Sequence, residues 1–147
     1  MKTIAPADPG VLLILLVEDC QADVFLVKEA IRKEGLPAQL QVLNDGEKAV
    51  RFIDQIDAGG EATCPNLLLL DLNLPRISGE DVLRRLRKSP KCGHIPVVIL
   101  TSSDAPSDRE RATRLGISEY FRKPSSLNEF MQVGGLIHRI WTESRVE

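Results

Sequence analysis

Hydrophobic residues in this chain fall into short unbroken runs separated by stretches of helical spacing. Leu12–Val17, Leu67–Leu70 and Val97–Leu100 are continuous Leu/Ile/Val segments, and Leu40 with Val42 and Tyr120-Phe121 mark two more. Uninterrupted apolar runs of this length suit strands buried on both faces, as in a parallel sheet covered by helices. The first strand is read as Val11–Val17, the second around Leu40 and Val42, the third as the run before Asp71, the fourth as Ile95–Leu100 and the fifth as Glu119–Arg122.

Between the runs the apolar period changes to that of a helix. Val24, Leu26, Val27, Ala30 and Ile31 share one face over Asp23–Glu34, which is stopped by Gly35-Leu36-Pro37. Ala49, Val50, Phe52, Ile53 and Ile56 follow the Asn44-Asp45-Gly46 turn, and Val82, Leu83 and Leu86 form a third helix to about Lys88. Ser107 with Glu110, and Ser126 with Glu129, are capping-box pairs that would open a fourth helix through Leu115 and a last one reaching about Trp141. Strand and helix alternate five times with short connections. Right-handed crossovers then give an α/β, doubly wound, five-stranded parallel sheet of order 2-1-3-4-5.

The chain ends of these strands carry the chemistry. The first runs into Glu18-Asp19, the third into Asp71, the fourth into Thr101 and the fifth into Lys123-Pro124. In an open parallel sheet the C-terminal strand ends share one edge, and strands 1 and 3 are neighbours at the switch point. Three carboxylates converging there repel one another unless a cation sits among them. Oxygen ligands without His or Cys favour Mg²⁺ or Mn²⁺ over zinc. A lysine before proline can reach back over the acids, with an X-Pro bond able to adopt cis, and the Thr101 hydroxyl can donate to a phosphoryl oxygen.

Composition narrows the setting. The 147 residues suit one domain, and 19 basic against 21 acidic residues give a net charge of −2, which favours neither a nucleic-acid nor a membrane-surface role. No apolar run approaches a bilayer span. Cys20, Cys64 and Cys92 lack metal spacing and are expected to be three idle thiols in a reducing cytoplasm. Residues 1–10 are expected to form a flexible tail, 11–143 the domain and 144–147 a C-terminal tail.

Leu15-Leu16-Val17-Glu18-Asp19, Leu69-Leu70-Asp71-Leu72-Asn73-Leu74-Pro75 with Gly79, Thr101-Ser102 and Lys123-Pro124 together resemble the receiver domain of two-component response regulators. The separations also match, 30 residues from Asp71 to Thr101 and 22 from Thr101 to Lys123. The fuller pattern from Val17 to Asp23, with Asp71-Leu-Asn-Leu-Pro and the Trp141 terminus, resembles the stand-alone regulators that serve bacterial and cyanobacterial phytochromes. The resemblance implies a flavodoxin-like receiver fold with Asp71 as phosphoacceptor and a metal held by Glu18, Asp19, Asp71 and the Asn73 carbonyl. It implies that Thr101 and Lys123 hold the phosphoryl oxygens and that Tyr120 is the switch aromatic.

The expected partner is a sensor histidine kinase of the phytochrome kind, with no nucleic acid or membrane involved. The expected output is a homodimer through the fourth helix, fifth strand and last helix. Leu127, Phe130, Met131, Ile137 and Trp141 lie along one line of that helix, while Val133, Leu136 and Ile140 widen it, and Gly134-Gly135 suggests close approach by another backbone. No enzyme activity is expected. Two readings stand against this one. A haloacid-dehalogenase-type phosphatase would need a second Asp where Asn73 stands, and a phosphorylation-independent interaction module would need none of these acids.

Overall fold

A computed structural model describes residues 10–145. Five strands, β1 (Leu12–Val17), β2 (Ala38–Leu43), β3 (Leu67–Leu70), β4 (Val97–Thr101) and β5 (Glu119–Arg122), form one parallel sheet in the order β2-β1-β3-β4-β5. The helices are α1 (Gln21–Glu34), α2 (Gly46–Asp57), α3 (Gly79–Arg87), α4 (Pro106–Arg114), α5 (Leu127–Phe130) and α6 (Gln132–Arg145). The topology is the doubly wound one expected from the alternating pattern. The tails expected at 1–10 and 144–147 fall largely outside the described residues; Ser144 and Arg145 belong to α6.

Because successive side chains of a strand point to opposite faces, each central strand feeds two cores. Leu15, Val17, Leu68, Leu70, Val97 and Ile99 pack with Ile53, Val82, Leu83 and Leu86 under α2, α3 and α4. Leu12, Ile14, Leu16, Leu67, Leu69 and Leu100 pack with Val27, Ile31, Phe130, Val133 and Ile137 under α1, α5 and α6. β1 and β3 are buried at every position, which explains why they read as unbroken apolar runs.

Helix boundaries differ from the sequence reading where side chains cap in unexpected ways. Asp45 is the N-cap of α2 and accepts from the Lys48 N–H at 2.8 Å, so the expected turn is the helix start. Ser126 caps α5 as expected, accepting from the Glu129 N–H. The Ser107–Glu110 capping box does not form. Pro106, with φ preset for a first turn, starts α4 earlier, and its N-cap Ala105 has no capping side chain. The last helix is split, with Met131 joining the single turn α5 to α6.

The three cysteines are also corrected. Cys64 and Cys92 form a disulfide across a Cα–Cα separation of 5.5 Å, and Cys20 alone is free and exposed. Their 28-residue separation hid a pairing that only the tertiary fold creates. The bridge lies beside a polar clasp in which Asp57 accepts from Arg85, the Ser89 hydroxyl and the Lys91 N–H, joining the ends of α2 and α3.

The apolar breadth of α6 is mostly consumed inside the chain. Val133, Ile137 and Ile140 are buried. A Cβ on Gly134 would lie 2.5 Å from the Ala30 carbonyl oxygen, so the backbone that approaches there is α1 of the same molecule. Gly135 faces open space. Gly135→Ala should therefore stabilise the fold by about 0.5–1 kcal/mol through helix propensity. Gly134→Ala should destabilise it by about 1–3 kcal/mol through overpacking against α1. Urea denaturation of the two variants should give midpoint shifts of opposite sign.

Candidate functional site

Ladder hydrogen bonds continue one residue past the strand ends and fix the site. The Glu18 N–H donates to Leu43 O at 3.0 Å, the Asp71 N–H to Val17 O at 3.1 Å and the Lys123 N–H to Thr101 O at 2.7 Å. The first polar residue after each strand is thereby held at the same sheet edge. Carboxylate oxygens of Glu18, Asp19 and Asp71 all lie within 4.8 Å of one another, Glu18 and Asp71 buried and Asp19 exposed.

Lys123 reaches into this cluster. Its Nζ lies 2.8 Å from Glu18 Oε1, 2.8 Å from Asp23 Oδ2 and 3.2 Å from Asp71 Oδ2, with the side chain only 10% exposed. The described residues contain no cis peptide, so the Lys123-Pro124 bond is trans, not the cis form the sequence allowed. Burial opposes the ammonium charge, but hydrogen bonds with Asp23 and Glu18 and the Asp71 charge outweigh it and hold the Lys123 pKa above the ordinary lysine value. Glu18 gives way instead. Burial pushes its pKa up to about 7, with help from the Asp71 charge, against the opposing pull of Lys123 and the Cys20 N–H.

The donor set suits a divalent cation. All candidate side-chain ligands are oxygens, as hard cations prefer. Glu18 Oε1 is buried with the Lys123 ammonium 2.8 Å away, so a cation entering the acidic cluster would share this oxygen with the ammonium. The other Glu18 oxygen accepts from the Cys20 N–H at 3.1 Å, and Asp71 Oδ1 from the Asn73 N–H at 3.1 Å.

The loop after β3 is gripped by two glycines. A Cβ on Gly79 would collide with the Asp71 carbonyl oxygen, and one on Gly46 with that of Ile77. The Gly79 N–H donates to Leu72 O at 2.9 Å and the Gly46 N–H to Pro75 O at 3.2 Å. On the other flank Thr101 is fully buried, its hydroxyl accepting from the Ser103 N–H at 3.4 Å. Tyr120 is buried, donates to Ser103 O at 2.9 Å and carries the Arg109 guanidinium over its ring at 4.6 Å. Burial, ahead of its neighbours, raises the Tyr120 pKa.

The fold thus brings Glu18, Asp19, Asp71 and Lys123 into one cluster and sets Asn73, Thr101 and Tyr120 on the adjoining loops and strands. Sequence reasoning gave no role to Asp23, although it closes the quoted Val17–Asp23 pattern. Its four-residue spacing from Asp19 across a helix start was the available signal. Phe25 is 61% exposed and lines an open cleft of about 520 Å³ with Asp19, Lys28 and Lys48.

A sheet of this order with acids and a lysine at its switch point is the architecture of a phosphoacceptor signalling domain, and the family comparison agrees. The response regulator receiver domain model matches residues 14–133, and the chain belongs to that family. It is 36% identical over 132 residues to the response regulator Rcp1 of Synechocystis, covering 90% of both chains. It is 33% identical to the probable methanogenesis regulatory protein FilR2 of Methanothrix harundinacea, covering 88% of this chain and 83% of that one. Among solved structures it superposes on the phosphorylated cyanobacterial phytochrome response regulator RcpA with TM-score 0.81 at 33% identity, over 92% of this chain and 96% of that one. For the Mn²⁺-bound form of Rcp1 the TM-score is 0.78 at 35% identity, over 90% and 96%. No helix among the described residues is long and apolar enough to cross a membrane.

The cluster generates a prediction about charge balance. Removing the ammonium leaves buried carboxylates facing one another, which costs about 3–5 kcal/mol. Lys123→Ala should melt roughly 10 °C below wild type in chelator. Because a ligand that binds only the folded state stabilises it, 10 mM Mg²⁺ should raise the variant's melting temperature more than that of wild type. Equal Mg²⁺ shifts in calorimetry would show that the cation and the ammonium do not share these acids.

Proposed function

We propose that this chain is a single-domain response regulator whose Asp71 accepts a phosphoryl group from a phosphohistidine on a sensor histidine kinase, a phytochrome being the kinase class indicated. The observation that carries the reading is the Lys123 ammonium held between Asp71, Glu18 and Asp23 at the buried edge of the sheet. The relation to RcpA, a cyanobacterial phytochrome response regulator, supports the partner class.

In the transfer the P–N bond to the donor imidazole breaks, its electron pair stays on nitrogen, and a P–O bond forms at an Asp71 carboxylate oxygen. The obstacle is the approach of an anionic nucleophile to anionic phosphoryl oxygens. Lys123 offsets it as a fixed positive charge, and the Thr101 hydroxyl donates to a phosphoryl oxygen. Glu18, Asp19 and Asp71, with the Asn73 carbonyl, would hold Mg²⁺ or Mn²⁺, which supplies further charge neutralisation at that oxygen cluster when bound. The acyl phosphate adds about one to two negative charges at one point. Thr101 and Tyr120 respond, and α4, β5 and the α5–α6 segment carry the change to a partner.

The chain works as a cytoplasmic signalling acceptor and not as an enzyme on diffusible substrates. Its charge balance supports neither nucleic-acid nor membrane binding. Asn73 in place of a second Asp disfavours a phosphatase, and the complete acid–lysine set disfavours a phosphorylation-independent module. Exposed Phe25, beside Lys28 and Asp19, supports a protein phosphodonor approaching along α1. Exposed Leu127 at the start of α5 supports a homodimer through the α4–β5–α5/α6 face.

Incubation with acetyl phosphate and Mg²⁺ should add one phosphoryl mass to wild type and none to Asp71→Asn by intact-mass spectrometry. Equal incorporation would remove Asp71 from the role. Sedimentation at tens of micromolar should show a dimer in at least one phosphorylation state; a monomer in both would leave a heterologous partner as the output.

A further inference from the structure

The turn between β4 and α4 is organised around one side chain. Ser103 uses every polar group it has. Its N–H donates to the Thr101 hydroxyl at 3.4 Å, and its carbonyl accepts from Tyr120 Oη at 2.9 Å. Its hydroxyl donates to Asp108 Oδ2 at 2.6 Å and accepts from the Ala105 N–H at 3.3 Å. The last two bonds tie the turn to the start of α4. α4 begins at an alanine N-cap followed by proline, and the Ser103 hydroxyl bridges the N-cap backbone N–H to the Asp108 carboxylate in the first turn.

The anchor continues beyond Asp108. Arg111 Nη2 donates to Asp108 Oδ1 at 2.7 Å, and its Nε donates to Glu80 Oε1 at 2.8 Å. Glu80 opens α3 directly after Gly79, the residue packed on the Asp71 carbonyl. A chain of charge-assisted bonds therefore runs from Glu80 in the first turn of α3, through Arg111 and Asp108 of α4, into Ser103. There it meets the hydroxyl of Thr101 and the ring of Tyr120.

We propose that Ser103 is a positioning residue that locks Thr101, Tyr120 and the start of α4 into one arrangement, through its hydroxyl on Asp108. The inference rests on the reading of Thr101 and Tyr120 as the responding pair. A backbone carbonyl holds the tyrosine only while the turn keeps its shape, and the Ser103–Asp108 bond fixes that shape. Ser103→Ala keeps both backbone bonds available but releases the turn from α4. Loss of a hydrogen bond to a charged group should raise the population with Tyr120 detached about tenfold.

Tyr120 is the single tyrosine in the chain, so ring-labelled tyrosine gives one unambiguous NMR signal. The signal would be followed in wild type, Ser103→Ala, Ser103→Thr and Asp108→Asn, with and without acetyl phosphate and Mg²⁺. Before any phosphodonor is added, Ser103→Ala and Asp108→Asn should shift or broaden it toward the value of a solvent-exposed ring, and Ser103→Thr should restore it. Phosphoryl incorporation at Asp71 should stay within about twofold of wild type in all three variants, while the ring response to phosphorylation is lost in Ser103→Ala. An unchanged ring signal in Ser103→Ala, with melting behaviour like wild type, would overturn the proposal. Failure of wild type to take up a phosphoryl group would overturn the phosphoacceptor reading instead, since the comparison without donor reads the latch independently.

Discussion

A single buried ammonium sets the terms for the rest of the molecule. Lys123 stands against three carboxylates at the one sheet edge where the crossovers converge, and the cluster is tolerable only because its charges are matched. The acids come from the β1–α1 segment and the end of β3, and the lysine from the end of β5, so the match requires the strand order and the register that continues past β1, β3 and β5. A slip by one residue in β3 would turn Asp71 toward the opposite face. The unbroken apolar runs therefore do more than fill a core, because they fix the phase in which the first polar residue appears.

The two flanks of the site are built differently. On the Asp71 side, Gly46 and Gly79 let backbone close on backbone, leaving no room for a side chain and little for rearrangement. On the Thr101 side, the contacts are hydrogen bonds among Ser103, Tyr120 and Asp108, with Arg109 over the aromatic ring. Close packing resists displacement, whereas hydrogen bonds can exchange partners at modest net cost. Charge added between these flanks would be accommodated on the second.

Much of this was legible from sequence because strand burial and strand-end chemistry are both local patterns. The five strands, their order, and the meeting of Glu18, Asp19, Asp71 and Lys123 follow from apolar runs and the fixed hand of crossovers. What was missed depends on tertiary neighbours. The Cys64–Cys92 bridge joins residues whose proximity exists only once α2 and α3 lie side by side. The Ser107 capping pattern was real as a pattern, but Pro106 and Ser103 offered the backbone a better start. On α6 the apolar positions were correctly recognised and wrongly allotted, because Gly134 lets α1 approach close enough for Val133, Ile137 and Ile140 to sink into the core.

The disulfide has a practical bearing on chemical mapping. Cleavage after Arg51 and Arg76 releases a peptide holding both Cys64 and Asp71, while cleavage after Lys91 and Arg109 releases one holding Cys92, Thr101 and Ser103. Without a reductant the two stay covalently joined, so Asp71 and Thr101 travel as one branched fragment. Any search for a modified Asp71 in the oxidised protein has to look for that branched mass, and neither linear peptide would be found on its own.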